Sequence, residues 1–273
     1  MKRAFAEWIQ AVDRILRGEA TRLRDLRTGT IDVPLGGLAT VIVLLGMIYG
    51  ACMGVYALLR ADGPGWIQLV ASMIKVPVLF YGTLAVTFPS LYVFNALVGS
   101  RLTLKSLLNL LIASLAVNLA VLSSLGPVVG FFSVSTTSHP FMVLLNVLVF
   151  AVSGILGLSF LLQTLHRLSI VDRMWPVPEP VEQPPASEGT APQESQEATG
   201  SDAGPLERVT DHLLGNRVKA VFGCWIIVFG LVGAQMSWIL RPFIGSPDAP
   251  FTWFREREGN FFQDVFRTIW ELL

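Results

Sequence analysis

Long apolar runs separated by short polar segments dominate the sequence. Five runs lie at residues 35–59, 76–98, 107–132, 141–162 and 220–240, and none has a charged residue in its interior. The hydrocarbon core of a bilayer is about 30 Å thick, so a helix needs about 20 mostly apolar residues to cross it. Because every run reaches that length, the pattern predicts an all-α polytopic membrane protein with five transmembrane helices.

Two further segments repeat apolar residues mostly at three- and four-residue steps, which is typical of amphipathic helices. Residues 4–27 predict a helix that either lies in the headgroup plane or packs against the cytoplasmic loops. After Asn260, a predicted N-cap, apolar side chains form one stripe and polar side chains form the opposite face. The pattern therefore adds N-terminal and C-terminal interfacial helices to the five crossings.

The polar segments divide the chain into parts. We predict a cytoplasmic amphipathic arm at 1–33, a four-helix transmembrane block at 34–163, a cytoplasmic loop at 164–219, the fifth transmembrane helix at 220–240, and an outer-side aromatic tail with its interfacial helix at 241–273. Within the loop, residues 176–205 are rich in Pro, Glu, Ser and Gln and lack aromatic residues. Such a composition cannot bury enough apolar surface to fold, so it predicts a disordered acidic linker.

Basic residues are unevenly shared between the two predicted faces of the membrane. The N-terminal arm, the 100–106 loop and the 164–219 loop carry 14 of the 20 Lys and Arg residues. Cytoplasmic loops carry the excess of Lys and Arg, so the N-terminus is predicted to be cytoplasmic and the C-terminus outside. Arg outnumbers Lys by 16 to 4, which hints at a GC-rich genome and thus a bacterial inner (cell) membrane.

Composition and motifs exclude several kinds of function. The formal net charge is zero, so the chain has no overall basic field for nucleic acid. The runs contain no acid pair, Ser/His or Ser/Lys set, or HExxH motif, and no GxxxxGK[ST] loop occurs. Cys52 and Cys224 lack the spacing of a metal site and are predicted to be packing residues, with a disulfide or lipidation as the alternative. We expect no catalytic residue, cofactor or metal, and no enzyme.

Small and amide residues inside the runs predict how the helices pack. Glycines four residues apart let two helix backbones approach closely, either within one chain or between two copies. Amide side chains at membrane depth bond a neighbouring helix or, alternatively, line a polar pathway. The predicted helix-packing residues are Gly46, Gly50, Gly54, Asn95, Asn118, Asn146 and Gln235.

The segment that precedes the second run carries a lysine at the membrane boundary. Residues 62–65 (DGPG) predict a turn, and residues 66–74 are predicted to lie along the outer interface with Trp66 as an anchor. Lys75 and Pro77 would then turn the chain into the membrane. Lys75 either snorkels to the interface or serves as a functional buried cation.

The tail after residue 240 combines aromatic and alternating charged residues. Aromatic side chains suit the headgroup level, and the charges at 255–258 either tie the tail to the loops or perform chemistry. The predicted tail-interface residues are Arg241, Phe243, Trp253, Arg255, Glu256, Asn260, Phe262 and Trp270.

Two blocks resemble known membrane proteins. The stretch from Pro89 through SLYVFNALVG to Pro127 is similar to the helix, basic loop, helix and Pro pattern of Yip-domain proteins. The tail resembles a block of uncharacterised bacterial polytopic proteins in Gln235, Trp238, Arg241-Pro-Phe243, Phe251, Arg255 and Gly259-Asn-Phe-Phe262. The resemblance implies a role in membrane organisation or trafficking and supplies no catalytic residues.

The sequence therefore favours a non-enzymatic integral membrane protein that organises or anchors partner proteins. Its expected partners are the lipid bilayer and another membrane protein or a second copy of the chain, and no nucleic acid. The alternative is a small channel or transporter, because Pro89, Pro127 and the Asn residues could mark broken helices along a polar pathway. A lipid-modifying enzyme is a third hypothesis, for which Arg241, Arg255 and Glu256 would be the residues to test.

Overall fold

The computed structural model describes residues 7, 10, 12–15, 17, 35–60, 65–97, 104–174, 205–245, 251–255 and 259–273. Within these ranges the chain is helical and contains no strand, which confirms the predicted all-α class. The long helices are α1 (Leu35–Arg60), α2 (Gly65–Leu97), α3 (Leu104–Ser135), α4 (His139–Met174) and α5 (Pro205–Leu240), and a shorter α6 covers Phe261–Leu272.

Five of these helices are long and apolar enough to cross a bilayer, as the sequence predicts. The candidate spans are Gly36–Leu59, Gly65–Val93, Leu108–Ser135, His139–Thr164 and Gly223–Leu240. Large apolar side chains on these spans stay exposed in the folded chain, among them Ile48, Leu148 and Ile227. Since such surfaces are stable only in hydrocarbon, the chain is a multi-pass integral membrane protein.

The start of the second crossing differs from the prediction. Helix α2 begins at Gly65 and continues through Pro77, so residues 66–74 belong to the crossing and Lys75 lies inside it. The polar side chains in this part of the helix bond to the tail, as described below, so they do not face hydrocarbon. Residues 206–219 are helical and continuous with the fifth run in α5, which starts at Pro205, the last residue of the predicted linker. The rest of the predicted linker lies outside the described residues.

Helix α1 is the centre of the bundle and packs against both α2 and α3. A Cβ atom added at Gly50 would lie 2.5 Å from the carbonyl oxygen of Ser72, and one at Gly54 would lie 2.7 Å from Cα of Leu69. At Gly46 the nearest atom would be Cγ of Pro77, at 3.0 Å. These three glycines therefore let α1 and α2 approach backbone to backbone.

The other crossings extend from this centre as an arc. Helix α4 packs on α3 and α5 packs on α2, while α4 and α5 make few contacts with each other. In the N-terminal arm, Val12 and Ile15 are buried in the same apolar core as the crossings. These two residues therefore pack against the crossings, whereas the prediction offered the headgroup plane or the cytoplasmic loops.

Candidate functional site

A cleft lies between α4 and α5, the two ends of the arc. It encloses about 610 Å³, within the ~300–1,000 Å³ typical of ligand pockets. Apolar side chains from three helices form most of its walls, including Leu79 and Phe80 of α2, Val147 and Phe150 of α4, and Phe229 of α5. At the end where α5 stops, residues of the tail (residues 241–273) and of α6 cover it.

Three polar residues of α2 hold the tail in place, and we call Gln68, Ser72 and Lys75 the tail-docking residues. Their spacing of four and three places them on one helix face. The Gln68 side-chain amide donates to the carbonyl oxygens of Pro242, at 3.1 Å, and of Phe243, at 2.9 Å. The Ser72 hydroxyl also bonds the Phe243 carbonyl. The tail backbone is thus bonded directly to a membrane-spanning helix.

Lys75 extends this docking to the aromatic part of the tail. Its side-chain ammonium donates to the carbonyl oxygens of Pro242, at 2.9 Å, and of Trp253, at 2.6 Å. The same Nζ lies 5.6 Å from the centre of the Phe254 ring. Lys75 is only 3% exposed, so its ammonium is buried in protein, and a functional role for this buried cation stays a prediction.

Close packing lets the tail reach these residues. Gly245 has φ of +75°, a conformation that favours glycine, and a Cβ atom there would lie 3.0 Å from Cγ of Gln68 and 3.3 Å from Cβ of Ala57. The tail therefore crosses closely over both α1 and α2 immediately after α5 ends.

Helix α6 turns its polar face towards the cleft. It begins at the predicted N-cap Asn260, which is confirmed, because the Asn260 side-chain oxygen accepts from the Gln263 N–H at 3.0 Å. The polar residues Asp264, Arg267, Thr268 and Glu271 line the cleft. In contrast, Phe266 and Trp270 are 73% and 82% exposed. A helix that exposes its apolar stripe suits contact with lipid at the membrane interface.

Charged groups gather where α6 and the tail meet the cleft. The Arg241 guanidinium lies 3.8 Å from the Asp264 carboxylate, and Arg267 bonds Glu271 at 3.1 Å. The Arg241 guanidinium also stacks on the Trp238 ring, with Cζ 3.4 Å from the ring centre. The Arg255 N–H donates to the Arg241 carbonyl oxygen at 3.4 Å, which brings both predicted arginines to one end of the cleft.

Buried polar atoms of the cleft residues Asn118 and Trp238 have no hydrogen-bond partner within the described ranges. They are Oδ1 of Asn118, deep on α3, and Nε1 of Trp238, near the end of α5. Both residues are more than nine-tenths buried. An unsatisfied buried polar atom is costly, so each of these atoms would be stabilised by a hydrogen bond that the described residues do not supply.

The other predicted amides differ in their surroundings. Asn146 lines the cleft, accepts a 2.7 Å hydrogen bond from the Tyr49 hydroxyl and donates to the Met142 carbonyl at 2.8 Å. Gln235 is half-buried on α5 and is not among the cleft residues. The side chain of Asn95 and the whole of Glu256 lie outside the described parts of the chain.

Some of the remaining tail residues bond to α2, and others are exposed. Phe243 and Trp253 contribute the carbonyl oxygens that the α2 residues bond. Phe262 is exposed on the apolar stripe of α6 and packs edge-on against Phe261. Cys52 and Cys224 are free thiols, so they do not form the disulfide considered from the sequence. Among the described side chains, no group of His, Cys, Asp and Glu is placed to hold a metal.

Sequence reasoning missed the docking of the tail onto α2 and the role of Asp264. The signal for the first was available, because Gln68, Ser72 and Lys75 repeat at helical spacing within an otherwise apolar stretch. That spacing would have extended the second crossing back to Gly65. No local pattern identifies Asp264 as a partner of Arg241, since α6 meets the end of α5 only in the folded chain.

Fold and site together define an all-α polytopic membrane protein with a lateral cleft closed at one end by its own tail. No protein family, curated protein or solved structure matches this chain. The similarity to Yip-domain proteins therefore stays a prediction.

Proposed function

We propose that this protein is a non-enzymatic integral membrane protein that binds one membrane amphiphile in the cleft between α4 and α5. The observation that carries the proposal is the gradient of polarity along the cleft. Its walls are apolar over most of their length, and its charged residues are confined to the end beneath α6 and the tail. An amphiphile has the same division into a long apolar part and a polar end.

The position of the cleft supports entry from the bilayer. Helices α4 and α5 form its two sides, and both expose large apolar side chains, including Ile155 on α4 and Leu231 on α5. A lipid chain can pass between these helices without leaving hydrocarbon, so entry does not require the chain to be transferred into water.

Glycines at the cleft allow a direct test by filling the space. Gly230 of α5 lines the cleft, and a Cβ atom there would have no atom within 4 Å. Gly223 lies on the same helix in equally open surroundings but is not a cleft residue. The experiment is native mass spectrometry of the protein purified in mild detergent, with Gly230→Phe as the test variant and Gly223→Phe as its control.

We expect the wild type and Gly223→Phe to retain an amphiphile at a ratio of about one per protein, as a single cleft of this size implies. Gly230→Phe should lose it while unfolding at the same temperature. Equal retention by the two variants, or no retained amphiphile in any sample, would refute amphiphile binding in the cleft.

A channel or transporter is the second candidate, because Asn118 and Asn146 both line the cleft and one oxygen of Asn118 has no partner within the described residues. Amides on broken helices are one way to build a polar pathway. The test is solute and ion flux in liposomes, comparing the wild type with Asn118→Leu. Flux that the substitution abolishes would favour transport, and no flux in the wild type would remove this candidate.

Organisation of partner proteins, predicted from the sequence, is a separate proposal. Its support is the exposed apolar surface of α4 and α5, which is wide enough to contact a helix of another protein as well as lipid. Cross-linking in native membranes, followed by purification in mild detergent, tests it. Recovery of the isolated monomer alone would oppose it.

We also propose a bacterial inner membrane location, with the N-terminus in the cytoplasm and the tail outside. The proposal rests on the distribution of Lys and Arg, because 14 of the 20 basic residues lie on the predicted cytoplasmic side. Labelling of single cysteines from either side of intact cells tests the orientation, with Thr137→Cys in the α3–α4 loop expected to react from outside.

A further inference from the structure

The charged end of the cleft is a specific subsite, and we infer that it selects an acidic head group, a phosphate or a carboxylate, on the bound amphiphile. This inference rests on the proposed function. The cleft would provide the space, and the subsite would decide which amphiphile occupies it.

The balance of charge at this end favours an anion. The charged cleft residues within the described ranges are Arg241, Arg255, Arg267, Asp264 and Glu271. Three guanidinium groups therefore face two carboxylates. Both carboxylates already have an arginine beside them, Asp264 with Arg241 and Glu271 with Arg267. Among the described residues, no carboxylate lies beside the third arginine, Arg255, so an acidic group on the ligand would pair with it.

A further basic residue, Lys75, lies near the arginines of this subsite. The Lys75 ammonium bonds two backbone carbonyl oxygens, of Pro242 and Trp253, which carry no formal charge. Its positive charge therefore adds to the field of the arginines. Because Lys75 is buried, water screens its charge less than it would an exposed lysine, so the charge favours an anion at the nearby cleft end.

An uncharged hydrogen-bond donor, the Trp238 indole, lies next to Arg241. The indole Nε1 of Trp238 is buried on a cleft residue and has no hydrogen-bond partner in the described structure. The Arg241 guanidinium is stacked on the same indole ring at 3.4 Å, which fixes its orientation before any ligand binds. Trp N–H is a donor only, so a ligand atom that reaches it once the side chains around it adjust must be an acceptor, such as a phosphate or carboxylate oxygen.

The surplus of arginines among the described cleft residues disfavours a quaternary ammonium, because three guanidinium groups would repel it. Phosphatidylcholine carries such an ammonium beside its phosphate, so its head group brings no net negative charge to the arginines. A neutral diacylglycerol could accept one hydrogen bond but would leave the surplus positive charge unpaired. An acidic head group satisfies both requirements at once.

The test is competition binding of fluorescent amphiphiles to the full-length protein in detergent micelles. The probes share one acyl chain length and differ in the head: phosphatidic acid, free fatty acid, phosphatidylcholine and diacylglycerol. We expect phosphatidic acid or fatty acid to bind about tenfold more tightly than the last two, the size of one charge-assisted hydrogen bond. The ratio between the two acidic probes distinguishes a phosphate from a carboxylate ligand.

Two substitutions should change this preference in opposite directions. Arg255→Gln should lower the affinity for the acidic probes about tenfold and leave diacylglycerol binding unchanged. Asp264→Asn should raise affinity for the acidic probes, because it removes a carboxylate that competes for Arg241. The control is Lys105→Gln, which removes an exposed positive charge at the start of α3, away from the tail, and should change neither affinity.

The outcomes separate this inference from the proposed function. If all four probes bind equally well and Gly230→Phe abolishes their binding, the cleft holds an amphiphile but the inference on the head group is wrong. If no probe binds, or if Gly230→Phe leaves binding intact, the proposed function itself fails and the inference fails with it. A preference for phosphatidylcholine would also overturn the inference.

Discussion

The α1–α2–α3 centre and the α4–α5 side of this protein are built from similar apolar sequences but pack differently. In the centre, glycines bring α1 and α2 into backbone contact, and the side chains of Tyr49 and Ile42 are fully buried. On the other side, α4 and α5 contact each other little and enclose a cleft of about 610 Å³. The α1–α2–α3 centre is closely packed, whereas the α4–α5 side contains an open cleft.

The difference follows from where small residues lie relative to a neighbouring helix. Gly46, Gly50 and Gly54 face α2, so their lack of a side chain brings the backbones together. Gly154 of α4 and Gly230 of α5 face the cleft, where no atom lies within 4 Å of a would-be Cβ. Glycine therefore allows close contact between α1 and α2 but leaves open space between α4 and α5. Which effect it has depends on whether another helix lies opposite the glycine.

The largest loss of stability is expected from a substitution in the α1–α2–α3 centre. In Gly50→Ala, the new methyl group would lie 2.5 Å from the Ser72 carbonyl oxygen, and because that atom is backbone the helices must separate. We expect a loss of about 3 kcal/mol in the free energy of unfolding, the upper end for overpacking. Reversible unfolding in mixed detergent micelles, followed by circular dichroism, measures it.

The matched control is Gly36→Ala, at the start of the same helix, where a Cβ atom meets nothing within 4 Å. It should be neutral or slightly stabilising, because Ala favours helix over Gly. Equal stability of the two variants would mean that α1 and α2 are less closely packed than described, and the contrast between the two regions would be lost.

An intermediate and local effect is expected at the tail. Lys75→Met removes the donor that bonds the Pro242 and Trp253 carbonyls, so the tail should be held less tightly by about 1.5 kcal/mol, the lower value for a bond to a charged group. Hydrogen exchange measured by mass spectrometry should rise in residues 251–255 and α6 but not in α1.

Lys105→Met, which removes an exposed lysine on α3, is the control for that substitution and should leave the exchange pattern unchanged. Faster exchange throughout α1 and α2 in Lys75→Met would contradict a local role. That result would mean that Lys75 stabilises the packing of α1 against α2, rather than the attachment of the tail.

The smallest loss of stability is expected where α1 of the packed centre contacts α4 of the cleft side. Tyr49→Phe removes the 2.7 Å hydrogen bond from α1 to Asn146 of α4 and leaves a buried amide oxygen without this donor. Hydrogen bonds between membrane helices contribute about 0.6 to 2 kcal/mol, so we expect a loss of about 1 kcal/mol in the free energy of unfolding. The same unfolding assay applies.

Tyr92→Phe serves as the reference, since Tyr92 is half exposed on α2 and its loss of a hydroxyl should not alter stability. If Tyr49→Phe were equally neutral, the α1–α4 contact would not depend on this bond. Apolar packing alone would then hold α4 against the α1–α2–α3 centre.

Several features of the fold could be predicted from the sequence because they depend on local composition. Run length identifies the five crossings, and Asn260 followed by an amphipathic stretch identifies α6. The start of α2 was misplaced because Gln68, Ser72 and Lys75 resemble an interfacial segment when only neighbouring residues are considered. Their bonding partners lie more than 160 positions further along the chain.

The candidate site could be predicted only in part for the same reason. The sequence drew attention to Arg241 and Arg255 in the tail and to Asn118 and Asn146 in the crossings. It could not indicate that the first pair lies at the charged end of a cleft whose walls include the second pair. Nor could it indicate that α6 directs Asp264 and Arg267 inwards while exposing Trp270.

The sequence by itself determined that the chain is helical and belongs in a membrane, because the length and hydropathy of each run fix the solvent it requires. The tertiary structure alone decided which helices touch, which leave a space, and where the tail attaches. Those outcomes depend on side chains and carbonyl groups far apart in the chain meeting in a medium that offers no water as a substitute partner.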